Sequence, residues 1–137
     1  LFRSTIRPKV KTHGGRIVKL MGDGAIVEFG SAREAVLCAA EIQQRMQSEP
    51  APYYYSERLA LRMGVHAGDV SVSAGDIFGE AVNVAARLES AAPESGVLVS
   101  KLVADLAGSG LPIEFRNEGV HRFKNCPSSE FLDQLAV

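Results

Sequence analysis

Arg16-Ile17-Val18-Lys19-Leu20-Met21, Gly22-Asp23-Gly24 and Ala25-Ile26-Val27-Glu28-Phe29 follow one another without a gap: two strand-like runs around a glycine-bracketed aspartate. That pattern signals a β-hairpin. Directly after it, Ser31 and Glu34 have the spacing of a capping box, in which each side chain satisfies a free backbone N–H at a helix start. The helix so opened is expected to reach about Ser48 and to bury Ala35, Val36, Ala39, Ile42 and Met46.

Outward from this hairpin and helix, the chain keeps mixing the two kinds of element. Residues 1–12 read as the tail of a helix with Leu1, Phe2, Ile6 and Val10 apolar, a break near Pro8, and Gly14-Gly15 as its stop. A chain opening inside a helix is expected to have lost something before it. Residues 50–56, with Tyr53, Tyr54 and Tyr55, read as a loop packing its rings on the domain rather than as a stacking surface. Residues 59–72 alternate as one long bent strand or as a hairpin around Gly68-Asp69. A loop closed by Gly79 precedes a helix that ends near Pro93. A short buried strand at 96–100, a short helix at 101–107 and a closing pair of strands at 115–124 and 129–135 complete the chain. Helices mixed with several hairpins predict an α+β domain with a mixed or antiparallel sheet.

The whole-chain properties exclude more than they select. One domain fits 137 residues, enough to bury a core without staples. Fifteen basic against sixteen acidic residues leave a net charge of −1, which gives no basic patch for nucleic acid or an anionic membrane. Cys38 and Cys126 are far apart in sequence and read as reduced thiols, which points to the cytoplasm. No window approaches the length of a membrane span and no signal peptide is visible, so the domain is expected to make no direct membrane contact.

Three places bear chemistry. On the helix after Gly79, Asn83 and Arg87 are four residues apart, hence about 40° apart around the axis. Ala81, Ala85, Leu88 and Ala92 follow core spacing on roughly the opposite side. A carboxamide and a planar cation pointing together suit an anionic, hydrogen-bonding ligand, although an exposed polar face has the same pattern. Asp23, at the hairpin tip, is a common turn residue. Taken alone it reads as structural; the alternative is a carboxylate held at the end of a sheet with small neighbours that would let a metal and a phosphate come close. Lys19 lies on the strand leading to that tip, and alone it reads as a surface lysine.

Taken together, residues 13–24, 62–70 and 76–89, with Phe115-Arg116-Asn117-Glu118-Gly119 and His121-Arg122-Phe123-Lys124, resemble the class III nucleotidyl cyclase family of adenylate and guanylate cyclase catalytic domains. The likeness runs in order and spacing across nearly the whole chain. It implies a ferredoxin-like cyclase fold with helices packed on the sheet, spanning residues 1–137. It implies that Asp23 is the second of two metal-binding aspartates and that Lys19 and Asp76 read the purine. Lysine donates and aspartate accepts, which matches adenine, whereas guanylate-specific relatives carry glutamate and cysteine there. Asn83 would orient the ribose, Arg87 would stabilise charge on the α-phosphate, and Lys124 would hold the β- and γ-phosphates. The implied reaction is attack of the ribose 3′-oxygen on the α-phosphorus of ATP, giving 3′,5′-cyclic AMP and pyrophosphate. Two Mg²⁺ or Mn²⁺ ions per site would assist. The resemblance also implies a homodimer whose sites are shared between subunits.

One departure stands out. The family carries its first metal aspartate on a strand before the helix that opens this chain, and no aspartate precedes Asp23 here. Residues 1–137 are therefore expected to lack that first strand and to be inactive alone. The alternative function is a catalytically silent cyclase-like domain that binds nucleotide or dimerises for regulation. A ferredoxin-like module with accidental matches is the third and weakest reading.

Overall fold

A computed structural model describes residues 5–21, 24–48, 61–74, 76–122 and 129–136, with Val72 and residues 117–122 and 129–136 described by backbone only. The elements run in the order α1 (Arg7–Thr12), β1 (Arg16–Met21), β2 (Gly24–Glu28), α2 (Ala32–Ser48), β3 (Met63–Val65), β4 (Ser71–Ser73), β5 (Asp76–Phe78), α3 (Glu80–Ala91), β6 (Val97–Ser100), α4 (Lys101–Ala107), β7 (Glu114–Arg122) and β8 (Ser129–Ala136). The α+β class expected from the sequence is the one found.

The central sheet has the order β3-β6-β8-β7. β3 and β6 are parallel, while β8 runs antiparallel to both β6 and β7, so the sheet is mixed. A parallel pair needs a crossover, and α3 supplies it. Strand β6 is buried at all four positions. Val97 and Val99 meet Val36, Ala39 and Ala40 of α2 and Val103 and Ala107 of α4, while Leu98 joins Val84, Leu88 and Ala92 in a second cluster with α3. Alternate side chains of one strand thus enter two cores, which is why its sequence is apolar throughout rather than alternating.

The predicted hairpin is present: β1 and β2 pair antiparallel, with Arg16 opposite Glu28 and Met21 opposite Gly24. The Ser31 cap is present too, its Oγ accepting from the Glu34 N–H at 3.3 Å. Of the residues expected inside α2, Ala35, Val36, Ala39 and Ile42 are buried and Met46 is partly so.

Four expectations need correction. Residues 61–72 form neither one strand nor a hairpin around Gly68-Asp69: β3 joins the central sheet, and β4 pairs instead with β5, Ser71 opposite Phe78 and Ser73 opposite Asp76. Residues 76–78, read as loop, are that partner strand. In α3, Val84 is fully buried, whereas Ala85 is only partly covered. Pro8 does not break α1 but sits within its first two positions, after a wider π-type turn at Thr5 and Ile6. There a missing N–H removes no helix bond. The tyrosine loop, Cys126 and residues 1–4 lie outside the described residues.

Candidate active site

Helix α3 lies against β3 at Gly64. A Cβ there would meet the Ala85 carbonyl, the Glu89 N–H nitrogen and, at 2.7 Å, Leu88 Cβ. Only a residue without a side chain lets the helix rest directly on the strand. The helix begins at Gly79, whose φ of +137° suits glycine. A Cβ at Gly79 would also stand 2.9 Å from the Asp69 carbonyl oxygen. These two contacts fix the start and the tilt of α3. Val84 and Leu88 then face the core, and Asn83 and Arg87 are exposed, as their spacing required.

Lys19 and Asp76, 57 residues apart, are brought together: Lys19 Nζ donates to Asp76 Oδ2 at 3.2 Å. Both side chains remain about two-fifths exposed, 41% and 37%. The register of β1 slips between Ile17 and Lys19, so that Val18 is the extra residue of a bulge. Strict alternation would give Lys19 the face of Ile17, which packs on the α1–α2 core. The bulge changes that phase and re-aims the next side chain. Asp76 Oδ1 also accepts the Ile77 N–H at 2.8 Å. That backbone hydrogen bond first, and Lys19 second, hold the Asp76 carboxyl below the usual carboxylate range. It is therefore an acceptor throughout the neutral pH range.

Leu20, Met21 and Phe78, on the same two strands, are exposed apolar residues. Asp23 and Lys124 lie outside the described residues. Among the described residues no group of three or more His, Cys, Asp or Glu stands close enough to hold a metal ion. A separate hollow of about 370 Å³ is lined by residues 66–69, Glu80, Ala81 and Leu102. Its lining includes none of Lys19, Asp76, Asn83 and Arg87. No helix of the described residues is long and apolar enough to cross a membrane.

Two histidines make contacts that carried no signal in the sequence. His66 Nδ1 lies 2.7 Å from Ser100 Oγ, linking the ends of the parallel strands β3 and β6. His13, just past α1, has both ring nitrogens against carboxylates of α2.

Comparison with known proteins bears on the family and the fold. The putative adenylate cyclase 3 of Rhizobium meliloti is 40% identical over 124 residues, which is 90% of this chain and 21% of that protein. An adenylate cyclase of Streptomyces coelicolor is 35% identical over 76% of this chain and 26% of its own length. The chain thus spans about a quarter or less of these two relatives. The crystal structure of an adenylate/guanylate cyclase/hydrolase from Silicibacter pomeroyi superposes with a TM-score of 0.89 at 38% identity, covering 99% of this chain and 80% of that one. Adenylate cyclases of Trypanosoma brucei share the fold at 19% identity, with a TM-score of 0.83 over 97% of this chain and 74% of theirs. Residues 2–125 match the adenylate and guanylate cyclase catalytic domain, and the chain belongs to that family.

Proposed function

We propose that this domain is an adenylate cyclase, converting ATP to 3′,5′-cyclic AMP and pyrophosphate. The observation that carries the choice of ATP is the Lys19–Asp76 pair. An ion pair this exposed contributes little to stability. Its two members instead present one donor and one acceptor side by side, the complement of an adenine ring nitrogen and exocyclic amine. The bulge at Val18 and the β4–β5 hairpin exist on either side of that pair and set its spacing.

Asn83 and Arg87 complete the reading from α3. The carboxamide would hold the ribose so that its 3′-oxygen lies in line with the α-phosphorus. The guanidinium would meet the charge that grows on the α-phosphate oxygens as the phosphorus becomes five-coordinate. Catalysis then comes from positioning and electrostatics rather than from a covalent intermediate. Lys124 would neutralise the β- and γ-phosphates of the leaving pyrophosphate. The divalent ions that the family resemblance implies would have Asp23 as a ligand and would supply further charge neutralisation. A second copy of the chain fits the exposed Leu20, Met21 and Phe78, which flank the base-reading pair and would be covered on dimerisation.

Exchange of the donor and acceptor tests the proposal. In the full-length gene product, Lys19→Glu with Asp76→Cys should move the preference from ATP toward GTP. Each polar group left unpaired against the wrong base costs about 1–3 kcal/mol. An undiminished ATP preference in the double variant would show that these residues do not read the base.

A further inference from the structure

His13 lies at the corner between α1 and β1. It is the C-cap of α1, its N–H bonded to the Lys9 carbonyl at 3.1 Å, and the Gly15 N–H returns to the Val10 carbonyl at 2.8 Å. Strand β1 starts one residue later, at Arg16, and carries Lys19. The imidazole is mostly buried, with 10% of its side chain exposed. Its Nδ1 lies 2.6 Å from Glu34 Oε2 and its Nε2 lies 2.6 Å from Glu41 Oε2.

Two carboxylates on one imidazole decide its protonation. A neutral ring has one N–H and one lone pair, so one of these contacts would set a lone pair against a carboxylate oxygen. The imidazolium donates at both nitrogens, and both contacts become charge-assisted hydrogen bonds. Charged groups around the ring are few among the described residues. Glu34 and Glu41 face it from α2. Lys9 of α1 stands 3.8 Å from the same Glu41 oxygen. Cys38, the neighbouring thiol on α2, is pushed up to about 12 by burial and stays neutral. Lys9 weakens the field of Glu41 without removing it, since the ring is much the closer partner.

We infer that His13 is held as an imidazolium between Glu34 and Glu41 and is a positioning residue, a proton-dependent strap fixing the α1–β1 corner, and with it Lys19, on helix α2. Burial is the largest single influence on the ring and opposes its charge. The hydrogen bonds to Glu41 and then Glu34, with the two negative charges, outweigh it and raise the His13 pKa above its ordinary 6.5. A raised folded-state value means that the strap's contribution is complete below the unfolded value. It is lost as the pH rises through the folded one. The strap itself follows from the described geometry. Its consequence for nucleotide binding rests on the proposed function.

The protonation is read by ring-nitrogen NMR on the 137-residue chain between about pH 6 and pH 9, a range that brackets an ordinary histidine. Both nitrogens of His13 should be protonated at neutral pH and should titrate above the ordinary value. Glu34→Gln with Glu41→Gln should bring that titration down. One unprotonated nitrogen at neutral pH, or a titration unmoved in the double variant, overturns the strap. Thermal unfolding supplies the second reading: the midpoint should fall across the His13 titration in the parent chain and stay flat in His13→Gln. Should that variant not fold, Glu41→Gln takes its place and should show a shallower fall; equal slopes overturn the strap.

Nucleotide binding gives the reading that a purely structural role would not move. Affinity for a non-hydrolysable ATP analogue should weaken about threefold or more as His13 loses its proton, in step with the NMR titration, and His13→Gln should be weak at every pH. Binding that is independent of pH while Lys19→Ala still weakens it removes the positioning role. If Lys19→Ala leaves binding unchanged, the proposed function fails, and the NMR and melting results still decide the strap.

Discussion

Arg87 stands exposed on α3, one turn after Asn83. Its helix, its exposure and its companion Asn83 follow from spacing four residues apart opposite Ala81, Leu88 and Ala92, whereas the burial of Val84 in place of Ala85 did not. If the guanidinium meets charge that develops only in the transition state, Arg87→Ala should lower kcat on the order of 10²–10³-fold and leave KM nearly unchanged. Asn83→Ala should act in the same direction. Steady-state kinetics of the full-length gene product separate this from the opposite outcome, a large rise in KM with kcat intact, which would make Arg87 a ground-state phosphate binder. The Lys19–Asp76 contact, by contrast, was reachable only through family likeness. Nothing local in either segment says that residues 57 positions apart form a 3.2 Å ion pair. The clamp on His13 was hidden for the same reason, its partners lying 21 and 28 residues away on another element.

Long, periodic or capped elements were legible in the sequence, and three-residue strands were not. Helix α2 has a cap, seventeen residues and a consistent buried face, so its bounds could be read closely. β3, β4 and β5 are three residues each, too short for alternation to distinguish one long strand from two short ones with different partners. What fixes them is tertiary. Gln43, fully buried on α2, donates to the Leu61 carbonyl at 2.7 Å and to the Gly96 carbonyl at 3.2 Å, tying together the entries to β3 and β6. Gly64 was likewise only one residue of a motif until its contact with α3 was seen. Because its missing Cβ sets how closely α3 approaches, Gly64→Ala should push the helix outward and carry Asn83 and Arg87 with it. Overpacking of this kind costs about 1–3 kcal/mol in stability. Displacing the reacting geometry should lower kcat about 10- to 100-fold. Turnover per folded molecule, measured beside the melting temperature, checks this. A lower melting temperature with unchanged turnover would leave Gly64 a packing residue alone.

Across the whole fold, two buried cores on either face of β6 hold α2, α3 and α4, a third joins α1 to α2, and the polar groups lie outside them on β1, β5 and α3. The proposed shared site of a dimer is tested by mixing variants. If each site takes Asp23 from one subunit and Arg87 from the other, Asp23→Ala and Arg87→Ala homodimers should each be near background. In a heterodimer of the two, one site has both residues and the other neither. Random mixing makes half the dimers heterodimers, so co-expression should recover about a quarter of wild-type activity in a closed two-fold dimer. Silence despite demonstrated heterodimers would place the site within one chain. Adenylate cyclase activity, as proposed for this family member, is read from its product. The full-length gene product should be incubated with Mg²⁺ and equal concentrations of ATP and GTP, and the nucleotides separated. Cyclic AMP, with pyrophosphate in equal amount and little cyclic GMP, is the predicted result. Cyclic GMP as the main product, or no cyclic nucleotide from folded, dimeric protein, would contradict it.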